Sequence, residues 1–244
     1  MSTKKIALVT GANKGIGFET VRQLAAKGVT VLLGARDEKR GAEAVEQLKK
    51  EGLDVQFLQL DVNDTASQDN AARFIADKFG KLDILINNAG VAFDFQVPAS
   101  QGTLEQWRST FETNVFSLVS LTQKLLPLVK KSDAGRIVNL SSILGSLALN
   151  SDPNSPIGGW ASVTTAYNAS KAALNMFTIH LANELKNTPI KVNSAHPGWV
   201  KTDMGGQDAP LEIEDGAKTS VELALLADDG PTGGHFHLGE PIPW

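Results

Sequence analysis

The sequence predicts an α/β fold: a single doubly wound parallel sheet with helices on both faces, one domain over residues 1–244. Short apolar runs alternate with longer stretches of helical period. The runs are mostly continuous in apolar character, and a glycine-rich turn stands between the first run and the first helical stretch. Continuous apolar strands are covered on both faces, as parallel strands joined by helical crossovers must be.

The elements follow in order. IALVT (6–10) is the first strand, and TGANKGIG leads from it into a helix over 15–27. VTVLLGA (29–35) is the second strand; Arg36 and Asp37 follow, and Asp37 can head a helix over 37–51. VQFLQLDV (55–62) and LDILINN (82–88) are the third and fourth strands, separated by a helix over 65–79. A long helix over 103–131 carries Pro127, which should stop or kink it there. RIVNLSS (136–142) is the fifth strand, then come a helix over 165–187, the strand KVNSAHP (191–197) and a helix over 214–227. Ser, Thr or Asp often opens these helices and Gly often closes them. Repeating strand, helix, strand gives right-handed crossovers.

Composition narrows the function. A chain of 244 residues is ample for one core and a little short for two. With 23 basic and 27 acidic side chains and a net charge of −4, it lacks the basic footprint a nucleic acid requires. No apolar run approaches the roughly 20 residues that span a bilayer. MSTKKIALVTG passes directly from two lysines into a strand, so a cytoplasmic location away from membranes is expected. The absence of cysteine excludes disulfides, thiolate catalysis and thiolate metal sites. No metal site is expected of His180, His196, His235 and His237 either; the last two share a strand face without a third ligand.

Gly11, Gly15 and Gly17 are spaced G-x-x-x-G-x-G, which matches neither the G-x-G-x-x-G fingerprint nor the G-x-x-x-x-G-K-[ST] phosphate loop. The physics is shared with both. Glycines permit a tight turn and close approach of a pyrophosphate, and the following helix offers unpaired N–H groups and the positive end of its dipole. In a doubly wound sheet the ligand crevice lies at the carboxyl ends of the first and fourth strands, and NNAG (87–90) ends the fourth. A dinucleotide's 2′-position is read by an acid for a hydroxyl or by Arg for a phosphate. Here Arg36 stands at the end of the second strand and Lys14 adds a cation within the turn, which favours NADP over NAD. Asp37 weighs slightly against this, although an acid at the head of a helix has a role of its own.

TGANKGIG, NNAG, Asn114 in FETNVF, VNLSS, YNASK and HPGWVKTDM occur in the order found in the short-chain dehydrogenase/reductases, and the chain resembles that family over nearly its whole length. TGANKGIG, GARD, the extra residues before Tyr167 and the ending PTGGHFHLGEPIPW resemble its NADPH-dependent carbonyl reductase branch. The resemblance implies a Rossmann-fold oxidoreductase. Its dinucleotide would lie against Gly11, Asn13, Lys14, Gly15, Ile16, Gly17, Arg36, Asp61, Val62, Asn88, Ala89, Gly90, Tyr167, Lys171, Pro197, Gly198, Val200 and Thr202.

Tyr167, the chain's single tyrosine, and Lys171 stand at i and i+4 on one helical face. The resemblance makes Tyr167 the general acid/base. A free phenol titrates near 10, and an adjacent cation favours phenolate, so Lys171 is expected to lower Tyr167 and a bound oxidised nicotinamide to add to the effect. The resemblance also has Lys171 hydrogen-bond the nicotinamide ribose. It gives Ser142, with Ser141 as the alternative, a hydrogen bond to the substrate carbonyl oxygen. Asn114 resembles the residue whose helix distortion holds a water joining the lysine to solvent; otherwise it is a poor helix former kept for local hydrogen bonding.

Between Ser142 and Tyr167 lie 24 residues, more than the family's usual spacing and fewer than the longest carbonyl reductase insertions. Long loops in compact domains are usually functional. This one, with Trp160, is expected to wall a mostly apolar pocket beside Phe93, Ile143, Trp199 and Met204. The resemblance makes the helices near 103–131 and 165–187 the pairing surfaces of a homo-oligomer, which a long insertion can block, so monomer, dimer and tetramer all stand open.

The expected activity is NADPH-dependent reduction of an aldehyde or ketone, with Tyr167 as general acid. The alternatives are an NAD(P)-dependent alcohol dehydrogenase working oxidatively and a non-catalytic dinucleotide-binding sensor. Only 46 residues follow Gly198, too few for the substrate domain of a nucleotide-sugar epimerase.

Overall fold

A computed structural model describes residues 4–158 and 164–244. Strands β1 (Ile6–Val9), β2 (Thr30–Ala35), β3 (Val55–Gln59) and β4 (Ile84–Asn87) alternate with helices α1 (Gly15–Ala26), α2 (Glu38–Lys50) and α3 (Thr65–Phe79). Next come α4 (Leu104–Phe111), α5 (Ser117–Val129), β5 (Arg136–Leu140), α6 (Leu147–Ser151), α7 (Thr165–Glu184), β6 (Lys191–Ala195) and α8 (Ile213–Ala224). The short strands β7 (His235–His237) and β8 (Glu240–Pro241) complete the sheet.

The order is β3-β2-β1-β4-β5-β6-β7-β8, parallel except for β8, so the winding reverses between β1 and β4 as expected. Each central strand feeds two cores. Ala7 and Val9 of β1 pack with Val31, Leu24, Leu48 and Val221 on one face, while Ile6 and Leu8 pack with Leu32, Ile75, Leu125 and Val192 on the other. That two-sided burial is the physical reason for the continuous apolar runs.

A buried polar ladder crosses the sheet beside these cores. Asn87 Nδ2 donates to Thr122 Oγ1 at 3.0 Å and to Asn139 Oδ1 at 2.9 Å, and Asn139 Nδ2 donates to Thr178 Oγ1 at 2.9 Å. Ser141 Oγ donates to Asn175 Oδ1 at 2.7 Å. Satisfied buried hydrogen bonds are directional where apolar contacts are not, so they fix how α5 and α7 sit on β4 and β5.

Three sequence expectations need correction. The helix expected over 103–131 is divided at Glu112–Phe116 by a π-helical turn, in which Ser117 N–H bonds to Glu112 O. Pro127 lies in the last turn of α5, which runs on to Val129, so the interruption comes from the wide turn and not from the proline. β8 was not expected, the strand face shared by His235 and His237 is that of β7, and the stretch after Ser142 contains a 3₁₀ turn at Ile143–Gly145 and the short helix α6 where a loop was expected.

Candidate active site

The crevice opens where the chain leaves β1 and β4. Gly11 and Gly15 hold φ of +62° and +59°, a region that L side chains avoid. A Cβ on Gly17 would lie 2.4 Å from Asn88 Nδ2. Asn88 Nδ2 in turn donates to the carbonyls of Thr10, at 2.8 Å, and Gly11. Thr10 Oγ1 accepts the N–H groups of Asn88 and Ala89, both at 3.0 Å, so a single hydroxyl fastens the two turns together. Lys14, at the N-cap of α1, supplies no capping side chain, and the first turn of α1 has no acidic residue. Its N–H groups and positive dipole end are thus available to an anion, and these residues fit a dinucleotide pyrophosphate.

The cations expected at the 2′-position differ from one another. Arg36 is exposed after β2, while Asp37 accepts from Arg40 N at 2.9 Å and caps α2. Lys14 Nζ donates to Asp203 Oδ2 at 2.5 Å, which spans the crevice to the segment after β6. Beside it is a cavity of about 490 Å³ lined by Asn13, Lys14, Phe18, Arg40, Glu43, Ala44 and Gln47. Arg40 was missed at sequence level, although its position one turn into the helix after GARD was the available signal.

The other residues expected at the cofactor gather on the same side. Asp61 follows β3 and its carboxylate accepts from Asn63 N at 3.0 Å, while Val62 lines a small void with Thr10 and Ala89. Gly198, with φ +86°, packs on Leu211 and His237. The Thr202 methyl faces the glycine turn, where a Cβ on Gly15 would stand 3.7 Å from it. Ile16 is partly buried and Val200 buried, and both touch the position a Gly216 Cβ would occupy. Pro197 is partly buried at the start of that segment.

Asn114 lies in the π-helical turn, fully buried. Its side chain exchanges two hydrogen bonds of 2.8 Å with the backbone of Val91 and donates to Ser170 Oγ at 3.0 Å; Ser170 Oγ donates onward to Tyr167 O at 2.7 Å. Gly90 sits between, its missing Cβ 3.4 Å from Asn114 Oδ1 and 3.5 Å from Lys171 Nζ.

Ser142, Tyr167 and Lys171 converge. Ser142 caps the 3₁₀ turn, accepting from Leu144 N at 3.2 Å, and its hydroxyl hydrogen-bonds the Tyr167 hydroxyl. Ser141 points away, to Asn175, which leaves Ser142 as the serine at the site. Lys171 Nζ lies 5.6 Å from the Tyr167 ring centroid and donates to Leu140 O at 2.8 Å.

The expected acidification of Tyr167 does not appear. Burial pushes the phenol up to about 12, with the Ser142 hydrogen bond opposing it, and burial brings Lys171 down to about 8. The ammonium is aimed at a carbonyl and not at the phenol oxygen, so desolvation dominates. At neutral pH Tyr167 therefore keeps its proton. The 3₁₀ turn reaches α7 through Gly145, where a Cβ would lie 2.8 Å from the Lys171 backbone, a contact that sequence reasoning passed over.

On the substrate side Phe93, Trp199 and Met204 are 51%, 44% and 40% exposed, and Ile143 adjoins Ser142. Trp199 Nε1 donates to Gly205 O at 2.7 Å, which folds the 199–205 segment on itself. Trp160 lies outside the described residues. The His196 and His237 rings stand 4.9 Å apart, and His235 stacks on Trp244.

Comparison with known proteins agrees with this geometry. The family model for short chain dehydrogenase matches residues 5–211. Carbonyl reductase [NADPH] 1 of Mus musculus is 36% identical, with 100% of this chain and 99% of that one covered. (+)-Neomenthol dehydrogenase of Capsicum annuum is 35% identical, covering 98% and 97%. Among solved structures, NADPH-bound carbonyl reductase from chicken fatty liver superposes with a TM-score of 0.86 at 30% identity, covering 99% of each chain. Salutaridine reductase from Papaver somniferum gives 0.82 at 34% identity, covering 96% of this chain and 100% of that one. With the glycine turn, the π-helical asparagine and the Ser142, Tyr167 and Lys171 cluster in place, this chain belongs to the short-chain dehydrogenase family.

Proposed function

We propose that the protein is an NADP-dependent reductase of aldehydes or ketones, with Tyr167 as the general acid. The observation that carries the reading is the convergence of Ser142, Tyr167 and Lys171, with Lys171 Nζ 5.6 Å from the Tyr167 ring and Ser142 hydrogen-bonded to its hydroxyl; burial favours the protonated phenol. A nicotinamide dinucleotide, when bound, supplies the hydride for the carbonyl carbon. The Ser142 hydroxyl donates to the carbonyl oxygen and stabilises the charge that develops there. Tyr167 delivers the proton to that oxygen. Lys171 holds a positive charge near the site below about pH 8 and carries a hydrogen-bond donor into it. Asn114 holds the turn at Val91 against α7, which keeps the Gly90 backbone open between the two.

Arg36, Arg40 and Lys14 support a 2′-phosphate, and relatives named carbonyl reductase [NADPH] support NADP. The exposed Phe93, Trp199 and Met204 favour an apolar carbonyl compound. Among the described residues no helix is long and apolar enough to cross a membrane.

Relatives named neomenthol dehydrogenase favour a second reading, in which the same residues oxidise an alcohol. NADPH consumption measured against a panel of aldehydes, ketones and monocyclic alcohols separates the two directions. No turnover of any of them in either direction would leave a dinucleotide-binding sensor.

A further inference from the structure

We propose that Asp94 is a positioning residue for Tyr167: its buried carboxylate, brought in from the segment after β4, caps the helix that presents the tyrosine. The proposal rests on Tyr167 as the proton-transfer group.

Asp94 is 2% exposed and, among the described residues, meets no cation. Its carboxylate is spent on one task. Oδ2 accepts from Ala166 N at 2.6 Å and Oδ1 from Tyr167 N at 3.3 Å. These are first-turn N–H groups of α7, which lack partners inside the helix. Among the described residues, the side chain of its N-cap residue Thr164 makes no capping bond and donates to Asn168 Oδ1 at 2.9 Å, and the first turn contains no acidic residue. Asp94 thus supplies both the acceptors and the negative charge that a helix start favours, from 73 residues away in sequence.

The same anchor sets the substrate-side segment. Phe93 and Phe95 flank Asp94 and turn outward, 51% and 42% exposed. Gln106 Nε2 holds Phe93 O at 2.8 Å, and Val97 pairs with Thr164 in an isolated parallel bridge. One carboxylate therefore ties Phe93 to the backbone of Tyr167. The groups that face the phenol are Ser142, from the turn after β5, and Lys171 on its own helix. Asp94 acts on it through the helix, opposing the positive end that would favour phenolate.

The test compares Asp94→Asn and Asp94→Ala with the wild-type chain. Because the chain has one tyrosine, ring-labelled tyrosine gives a single NMR resonance whose titration reads Tyr167 without turnover. In Asp94→Asn, one acceptor survives and the charge does not, so the Tyr167 midpoint is expected to fall by roughly 0.2–0.7 pH unit. The pH profile of alcohol oxidation moves acidward with it. In Asp94→Ala, kcat falls roughly 10–10²-fold through misplacement of the phenol, while NADPH affinity stays within about 2-fold. Should Asp94→Ala fail to fold, Asp94→Asn decides. An unmoved Tyr167 titration, or kcat and NADPH affinity falling in parallel, overturns the proposal. A wild-type chain inert toward every carbonyl and alcohol sinks the oxidoreductase reading instead, and the resonance still tests Asp94.

Discussion

Lys14 and Asp203 form a 2.5 Å ion pair that joins the glycine turn after β1 to the segment after β6. Both side chains are largely exposed, so the pair is a weak tether, and a phosphate near Lys14 competes with Asp203 for the same ammonium. Asp203→Asn is therefore expected to tighten NADPH by about 2–5-fold and to leave NADH unchanged. Fluorescence titration with both dinucleotides checks this, and equal changes for the two would remove Lys14 from the 2′-position.

Arg36 and Arg40 supply the remaining positive charge at that end. Charged hydrogen bonds contribute about 1.5–3 kcal/mol, so Arg36→Ala and Arg40→Ala should each weaken NADPH by roughly 10–10²-fold. NADH should hardly change. If both cofactors lose affinity alike, the arginines serve the fold of α2 and not the phosphate.

Removal of the Tyr167 hydroxyl tests the proposed chemistry. Tyr167→Phe keeps the ring and deletes the hydroxyl, so carbonyl reduction should fall at least 10²-fold while the circular dichroism spectrum is unchanged. Near-normal turnover in a folded variant would assign the proton to another group.

Gly145→Ala places a methyl group 2.8 Å from the Lys171 backbone, too close unless the 3₁₀ turn or α7 shifts. Overpacking of this kind costs about 1–3 kcal/mol. Thermal unfolding should register that loss, and kcat should fall with it because Ser142 moves relative to Tyr167. A variant of wild-type stability and activity would mean that the turn yields freely.

Two buried histidines set the acid limit. Burial, with neighbouring histidines, brings His196 down to about 3 and His235 to about 4. Between those values and the ordinary 6.5, the unfolded chain binds protons that the folded chain refuses, so stability is full above about pH 6.5 and falls as the pH drops. At pH 5 the loss approaches about 2 kcal/mol for each histidine. Urea midpoints at pH 7.5 and 5 measure it, and His235→Phe should flatten the decline; an identical slope in that variant would place the proton uptake elsewhere.

The sheet was legible because its central strands are buried on both faces and read as unbroken apolar runs; Leu8 and Val9 feed opposite cores. β8 was not, since Glu-Pro is only two residues long and neither is apolar enough to mark a strand. The Ser142, Tyr167 and Lys171 cluster was legible through motif order. Its electrostatics were not, because the state of Tyr167 depends on where Lys171 points, and Leu140 O decides that. The π-helical turn around Asn114 leaves no periodic mark in FETNVF. Gly145 and Asp94 gain their roles from a helix that follows them in the chain, so spacing alone could not disclose them.

Trp244 O accepts the N–H of Ala148, and its ring stacks on His235. The final residue of the sequence is thereby moored to α6, inside the stretch that separates Ser142 from Tyr167. A disturbance at Trp244 is therefore carried to α6 and into the stretch between Ser142 and Tyr167.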